Sequence, residues 1–460
     1  VFRNTRHIHF VAIGGIGMSG IAEILLNLGF RVSGSDLKAS QTTDRLARLG
    51  ARIHIGHRVE QIAGADVVVY SSAVTEANPE IVEARRRRVP VVRRADMLAE
   101  LMRLKYGIVV AGSHGKTTTT SLVAAVLAEG RLDPTVIVGG RVLATGANAI
   151  LGGGEYLVAE ADESDGTFLR LVPTIAVVTN IDYEHVDFYP SFAELRAAFA
   201  SFLERVPFYG TCVLCADDPE VRALVPRLDR KVITYGLDSD AEVRAVPLSG
   251  EAAGRANAEV FVEGKSAGLL DFPLRGRHNL QNAMAAVAAG MELQIPWSQI
   301  AAGLASFRGV GRRCEDYGEQ AGVRVLDDYG HHPTEIVATM QVARSFGRRV
   351  VVLFQPHRYS RTAHFRREFA DALVTADVVG LLPIYSAGED PLPGVDSETI
   401  HQSLIEKGMT QVVLLGDPEE IPRWLDATVR SGDLLLTLGA GDIGRQVTPI
   451  CEHLAARRPA

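Results

Sequence analysis

The sequence predicts an α/β fold in which parallel sheets joined by crossover helices recur in three domains. Three observations carry this reading. Short β-branched runs alternate with helical stretches along the whole chain. The 460 residues exceed what one hydrophobic core organises. Glycine-rich turns also stand where strand-like runs pass into helical ones, notably at Gly15–Gly20 and Gly112–Gly115.

Composition narrows the class. A hydrophobic content of 47% with 22% charged residues fits a globular protein. The net charge of −7 offers no basis for nucleic-acid binding, so no nucleic-acid partner is expected. The dense basic run Arg85-Arg86-Arg87-Arg88 follows a helix-like stretch and reads as a solvated face. No apolar stretch is long and uninterrupted enough to span a bilayer, so no membrane partner is expected. The run from His7 to Ile13 breaks at once into a glycine turn, as a strand does and a leader does not. Cys212 and Cys215 form a C-x-x-C, but on a strand-like run and without the second pair a zinc site needs. They read as small core residues in a reducing cytoplasm, which is the expected location.

The first domain, residues 1–105, holds strands near 7–13, 31–35, 66–71 and 89–93. Gly15-Ile16-Gly17-Met18-Ser19-Gly20 matches G-x-G-x-x-G between the first strand and a helix expected over 18–29. Asp36 follows the second strand. This Rossmann-like layout binds a pyrophosphate at a helix N-terminus, with the acid reaching a ribose or base. The loop chemistry suits NAD and a UDP-sugar alike.

The second domain, residues 106–310, opens with the strand-like Tyr106–Ala111 and then Gly112-Ser113-His114-Gly115-Lys116-Thr117-Thr118. Strand, glycine turn, lysine and helix start form a P-loop ATPase-like cradle for ATP. Backbone N–H groups meet phosphate oxygens, Lys116 adds a point charge, and the Thr117 hydroxyl can hold Mg²⁺. Val110 stands where the usual first glycine would, so the turn is shorter than the standard loop. Further strands are expected near 135–138, 156–161, 175–179, 211–215 and 231–235, with an antiparallel flap over 238–275. Glu160 ends one of these strands, and His185 lies in the acidic loop after another. Thr117, Glu160 and His185 are therefore expected to converge on Mg²⁺, although an imidazole ligand is unusual for that ion.

The third domain, residues 311–460, begins past Gly309-Val310-Gly311, with strands near 323–327, 349–354, 377–382, 411–415 and 433–438. A second G-x-G-x-x-G, Gly439 to Gly444, follows the last strand. Close strand-to-helix packing explains it as well as a ligand does.

Longer motifs carry a resemblance. Gly112–Thr120, Glu160-Ala161-Asp162-Glu163-Ser164-Asp165 and Thr179-Asn180-Ile181-Asp182-Tyr183-Glu184-His185-Val186-Asp187 resemble the Mur ligase family, the ATP-dependent amino-acid ligases of peptidoglycan synthesis. The likeness runs through all three domains. His278-Asn279-Leu280-Gln281-Asn282-Ala283 is similar to the family's adenine-side motif, and Gly311-Arg312-Arg313-Cys314-Glu315 to its linker arginine. The opening residues 7–20, Asp327–Pro333 and Phe354–Arg361 resemble the branch that adds L-alanine.

The resemblance implies a ligase joining L-alanine to the carboxylate of UDP-N-acetylmuramic acid through an acyl phosphate, with ATP and Mg²⁺. It turns the first glycine loop toward a UDP-sugar rather than NAD. The implied catalytic residues are Lys116, Glu160, His185 and Arg313. ATP falls to Gly112, Ser113, His114, Gly115, Lys116, Thr117, Thr118, His278, Asn279, Asn282, Arg313 and Asp328. The UDP substrate falls to Gly15, Ile16, Gly17, Met18, Asp36, Ser71 and Ser72. Tyr329, His331, His357 and Arg358 are left for the amino-acid pocket. Several family members place a carbamylated lysine soon after the histidine that His185 matches; here no lysine occurs between His185 and Lys231.

Overall fold

The computed structural model describes residues 5–71, 73–103, 105–139, 149–185, 188–238, 240–248 and 255–457. The chain forms two compact units, residues 1–274 with 279–308, and residues 275–278 with 309–460.

The first unit holds two sheets. In the N-terminal one, β1 (His7–Val11), β2 (Arg31–Asp36), β3 (Arg52–Ile55), β4 (Val67–Tyr70) and β5 (Val91–Arg93) run in the order β3-β2-β1-β4-β5. Every pairing is parallel. The strand order reverses beside β1, so the turn after β1 stands where open α/β sheets bind ligands. The following helix is Ile16–Asn27, starting two residues before the expected 18. β3 was not expected: its residues Arg52–Ile55 are only partly buried and lack the continuous apolar run of an inner strand.

The central sheet comprises β6 (Tyr106–Ala111), β7 (Thr135–Ile137), β8 (Ala149–Ile150), β9 (Tyr156–Glu160), β10 (Ile175–Val178), β11 (Thr211–Cys215), β12 (Lys231–Gly236), β13 (Val243–Pro247), β14 (Ala256–Val262) and β15 (Lys265–Phe272). Their order is β15-β14-β13-β12-β11-β10-β6-β9-β7-β8. β6 lies between β10 and β9 in parallel register, so the turns after all three share one sheet edge. The expected flap is an antiparallel ribbon of β13, β14 and β15. Cys212 and Cys215 are free and buried in β11, as small core residues. The helix Lys116–Glu129 follows β6 and buries Leu122, Val123, Val126 and Leu127.

In the second unit, β16 (Glu315–Gln320), β17 (Val323–Asp328), β18 (Val350–Phe354), β19 (Val378–Leu381), β20 (Val412–Leu414) and β21 (Leu434–Leu438) run β16-β17-β21-β18-β19-β20. Only β16 pairs antiparallel among them, and it was missed because Glu-Asp-Tyr-Gly-Glu-Gln has no apolar face. β18 and β21 are buried along their whole lengths. One core packs around Phe354 and Phe369, the other around Trp424 and Leu425. The ends of β17, β18 and β21 lie side by side and bring residues 329–332, 355–358 and 439–442 to one edge. Among the described residues, no helix is long and apolar enough to cross a membrane.

Candidate active site

The glycine turn after β1 is held from below. Asp36 Oδ2 accepts from Gly14 N at 2.9 Å, and Ala12 takes a left-handed φ of 63°. The Asp36 carboxylate thus secures the turn itself, besides whatever it offers a ligand. Gly15 caps the helix Ile16–Asn27 with no side-chain hydrogen bond and no acidic residue in the first turn. Such an end attracts an anion through its N–H groups and dipole. Met18 is buried beneath the turn. Ser71 Oγ accepts from Ala73 N at 3.3 Å, whereas Ser72 lies outside the described residues.

The turn after β6 is of another kind, dense with charge. Gly112 and Gly115 have φ of 133° and 79°, conformations that favour glycine. A Cβ on Gly112 would come within 2.0 Å of Thr179 Oγ1, and one on Gly115 within 2.7 Å of Asn282 Oδ1. The loop is laced to the one after β10. His114 N donates to Asn180 Oδ1, His114 Nε2 lies 3.0 Å from Asp182 Oδ2, and Ser113 Oγ donates to Asp182 O at 3.0 Å. Thr179 Oγ1 donates to His114 O at 2.6 Å. Thr118 is buried in the first helical turn.

Lys116 Nζ donates to Gly112 O, Ser113 O and Glu163 Oε1 at 2.7, 2.9 and 2.7 Å. Burial alone would lower the pKa of this ammonium. The Glu163 carboxylate, aided by Glu160 and Glu184, outweighs burial and raises its pKa above the ordinary value. Thr117 Oγ1 donates to Glu160 Oε1 at 3.0 Å, and Gly139 N donates to Glu160 Oε2 at 2.7 Å. His185 sits at a left-handed φ of 53° with Nε2 3.3 Å from Glu163 Oε1 and 3.8 Å from Glu184 Oε2.

Ligand atoms of Glu163, Glu184 and His185 lie within 4.8 Å of one another. Glu163 Oε2 is buried without a hydrogen-bond partner. An orphaned carboxylate oxygen in an oxygen-rich cluster fits a hard divalent cation such as Mg²⁺. Of the expected trio, Thr117 and Glu160 pair with each other, and His185 groups with Glu163 and Glu184, two acids that were not named as ligands. A signal existed in the spacing, since both acids sit in the quoted motifs. Nothing in the sequence alone distinguished Glu163 from Asp162 or Asp165.

Asp162 turns the other way. Burial would raise its carboxyl pKa, but Arg94, Ser164 and Lys116 together bring it below the ordinary value. Asn279 and Asn282 are buried in the helix Arg277–Glu292. Gln281 Nε2 donates to Asp217 Oδ2 at 2.9 Å. His278 belongs to the short segment grouped with the second unit, and desolvation brings its imidazole down to about 4.

The second unit gathers the residues expected for the amino acid. The Tyr329 and His331 rings meet at 5.4 Å, His331 and His357 at 5.6 Å, and His357 stacks on Tyr385 at 5.6 Å. Burial, with the nearby charges of His331, Arg361 and Arg358, pushes His357 down to about 3. Arg361 Nη1 lies 3.1 Å from His357 Nδ1, which makes that nitrogen the acceptor. Arg358 has a left-handed φ of 71° and its guanidinium lies 3.9 Å from Glu389. A non-glycine residue at positive φ beside these rings marks a candidate binding position. His331 Nδ1 lies 3.2 Å from Glu335 Oε2.

The linker arginines take separate tasks. Arg313 lies over the Tyr329 ring at 5.0 Å and 3.6 Å from Glu335. Arg312 pairs with buried Asp327 at 2.9 Å. Asp328 accepts from Cys314 N and Gly330 N, each at 2.7 Å, and from Thr339 Oγ1 at 3.1 Å. That carboxylate, its pKa raised by burial, anchors the linker to β17.

The first unit supplies a charged phosphate loop and a glycine loop, the second a cluster of rings and arginines at its sheet edge, and sequence comparison gives the class. The chain matches the Mur ligase family, catalytic domain over residues 7–106, the Mur ligase middle domain over 110–290, and the Mur ligase, glutamate ligase domain over 312–441. It belongs to the Mur ligase family. Among its relatives is the UDP-N-acetylmuramate–L-alanine ligase of Geobacter sulfurreducens, 53% identical over 98% of this chain and 98% of the relative. The crystal structure of UDP-N-acetylmuramate-alanine ligase from Thermotoga maritima matches with a TM-score of 0.82 at 31% identity, covering 97% of this chain and 99% of that one. A murein peptide ligase from Psychrobacter arcticus matches with a TM-score of 0.74 at 22% identity, covering 98% and 99%, a likeness of fold alone.

Proposed function

We propose that this protein joins L-alanine to the carboxylate of UDP-N-acetylmuramic acid, with cleavage of ATP to ADP and phosphate. The observation that carries the reading is identity of 53%, sustained over 98% of both chains, with a relative named for that reaction. The site chemistry agrees with it. The UDP moiety rests on the turn after β1, at the uncapped helix end, with Asp36 bonded to that turn and with Ser71 and Ser72 following β4, the strand that pairs with β1. ATP rests on the turn after β6, with His278, Asn279 and Asn282 toward the adenine.

The muramoyl carboxylate attacks the γ-phosphorus in line, giving an acyl phosphate and ADP. The alanine amine then attacks the acyl carbon, and phosphate leaves from the tetrahedral intermediate. Little covalent work falls to the protein, so positioning and charge dominate. Lys116 opposes the charge on the transferring phosphoryl group, and Arg313 adds to it from the linker. Thr117, Glu160, Glu163, Glu184 and His185 would hold Mg²⁺, which supplies further neutralisation of the phosphate oxygens. Arg358 pairs with the alanine carboxylate. His331, beside Glu335, would take the proton from the amine.

The test is ADP release with UDP-N-acetylmuramic acid and each amino acid at equal concentration. L-alanine should lead, with modest discrimination against glycine, since one methyl group is worth about 1–3 kcal/mol. Equal rates with leucine, or higher rates with a tripeptide, would overturn the choice of acceptor.

A further inference from the structure

Arg94 stands between the two phosphate loops and has no role in the reading above. It opens the helix Arg94–Met102, and its side chain is 18% exposed. A cation in a first helical turn opposes the helix dipole, so its place is not explained by its own helix. Its contacts explain it better. Nη2 donates to Asp162 Oδ2 at 3.0 Å. The other side of the guanidinium covers the glycine turn after β1: a Cβ on Gly17 would stand 3.1 Å from both Arg94 Cδ and Arg94 Nη1.

Asp162 lies in the same short stretch as Glu160 and Glu163, which bond Thr117 and Lys116. The charge of Lys116 is felt at Asp162. The helix bearing Arg94 is itself set in the shared core of the first unit, through Met97, Leu98, Leu101 and Met102, together with Phe168 and Leu171. The helix is therefore held in place from behind, and the guanidinium is bonded to the loop of the other site.

We infer that Arg94 is a positioning residue that couples the two sites, offering its fork to the diphosphate of the UDP substrate while Asp162 holds it in register with the triphosphate loop. The inference rests on the assignment of the UDP substrate to the turn after β1. The sign follows from charge. A triphosphate on Lys116 neutralises that ammonium, which leaves the Asp162 carboxylate less screened and tightens its hold on Arg94. The fork is then preorganised for a diphosphate, so each nucleotide should strengthen binding of the other by the same factor.

The experiment is calorimetric titration of UDP-N-acetylmuramic acid into the protein, with and without a saturating non-hydrolysable ATP analogue and Mg²⁺. The unsubstituted protein should bind the UDP substrate about fivefold or more tightly with the analogue present. Arg94→Gln and Asp162→Asn should each bring that ratio to near one, and the double variant should bring it no lower. Thermal unfolding midpoints report the fold; should Arg94→Gln fail to fold, Asp162→Asn decides alone because it leaves the arginine in place. An unchanged ratio in Asp162→Asn, or parallel weakening of both ligands at a lower midpoint, overturns the coupling. No binding of the UDP substrate to the unsubstituted protein overturns the functional reading first and the coupling with it, whereas normal binding with an unaltered ratio in the variants overturns the coupling alone.

Discussion

Two turns in this molecule share one glycine pattern and have opposite surroundings. Gly15 to Gly20 follows β1 and opens a helix of 12 residues with no side-chain cap. The nearest atoms that a Cβ would meet at Gly15 and Gly17 stand at 3.5 and 3.1 Å. Gly439 to Gly444 follows β21 and opens only the short 3-10 helix Asp442–Arg445. There, Cβ atoms on Gly439, Gly441 and Gly444 would stand 2.6, 2.4 and 2.4 Å from Gln355 O, Gln355 Oε1 and Arg312. Arg312 also donates to Gly439 O and Gly441 O, and Gln355 Nε2 bonds Asp442 at 2.7 Å. The pattern specifies only that something comes close to the backbone. The neighbours decide what: side chains already press on the second turn, whereas the first keeps more room, with the Arg94 side chain 3.1 Å from a Cβ at Gly17.

The sharpest contrast comes from the turn after β6, where a charge is built into the loop. Lys116→Ala should lower kcat by about two to three orders of magnitude while UDP-substrate binding stays near normal, because the charge acts on the phosphoryl group in flight. Steady-state kinetics with calorimetry separates the two effects; near-normal turnover would remove Lys116 from the chemistry.

Arg312→Ala tests the filled turn. Removing the guanidinium leaves buried Asp327 without its cation, so stability should fall by about 3 kcal/mol. Denaturant unfolding measures this, and a loss below about 0.5 kcal/mol would mean the turn is not held by Arg312.

Gly17→Val tests the open turn. The fold should survive, since the three atoms nearest a Cβ at Gly17 all belong to the Arg94 side chain, whose end can shift. UDP-substrate affinity should drop roughly tenfold to a hundredfold, and ATP binding should be unchanged, because the side chain blocks approach to the backbone. Weakened ATP binding with normal UDP-substrate binding would exchange the two loops' assignments.

The smallest effect is a pH dependence on the side of the filled turn. His357 shares the residue 355–358 segment with Gln355 and is pushed down to about 3 from 6.5. Its neutral form is the one the fold prefers. Between these values the unfolded chain binds the extra proton, so this contribution is fully present above about pH 6.5 and is lost as pH falls toward 3. Urea unfolding at pH 7 and pH 4.5 should show a smaller drop in His357→Gln than in the unsubstituted protein. An equal drop in both would assign the acid sensitivity elsewhere.

The fold was largely legible because inner parallel strands bury both faces and so read as apolar runs, as in Val67–Tyr70 and Leu434–Leu438. β3 and β16 escaped notice because edge strands carry no such run. At the site, Gly112, Gly115 and Lys116 were readable from spacing, since a phosphate loop requires those residue types in that order. Tyr329, His331, His357 and Arg358 were readable as motif members, but their stacking was not.

By itself, then, the sequence determined the alternation of strands and helices, the glycine turns and the acids available to them. These depend on local geometry and on period, which neighbouring residues encode. Only the tertiary structure decided that Glu163 and Glu184 accompany His185, that Asp328 ties the linker to β17, that Arg94 spans from Gly17 to Asp162, and that Arg312 closes the second glycine turn. Each of these pairs residues from separate strand ends, whose adjacency arises from strand order in the sheets. An acid in a loop reads the same whether its partner is a lysine, a backbone amide or a ligand, until the sheet brings that partner within about 3 Å.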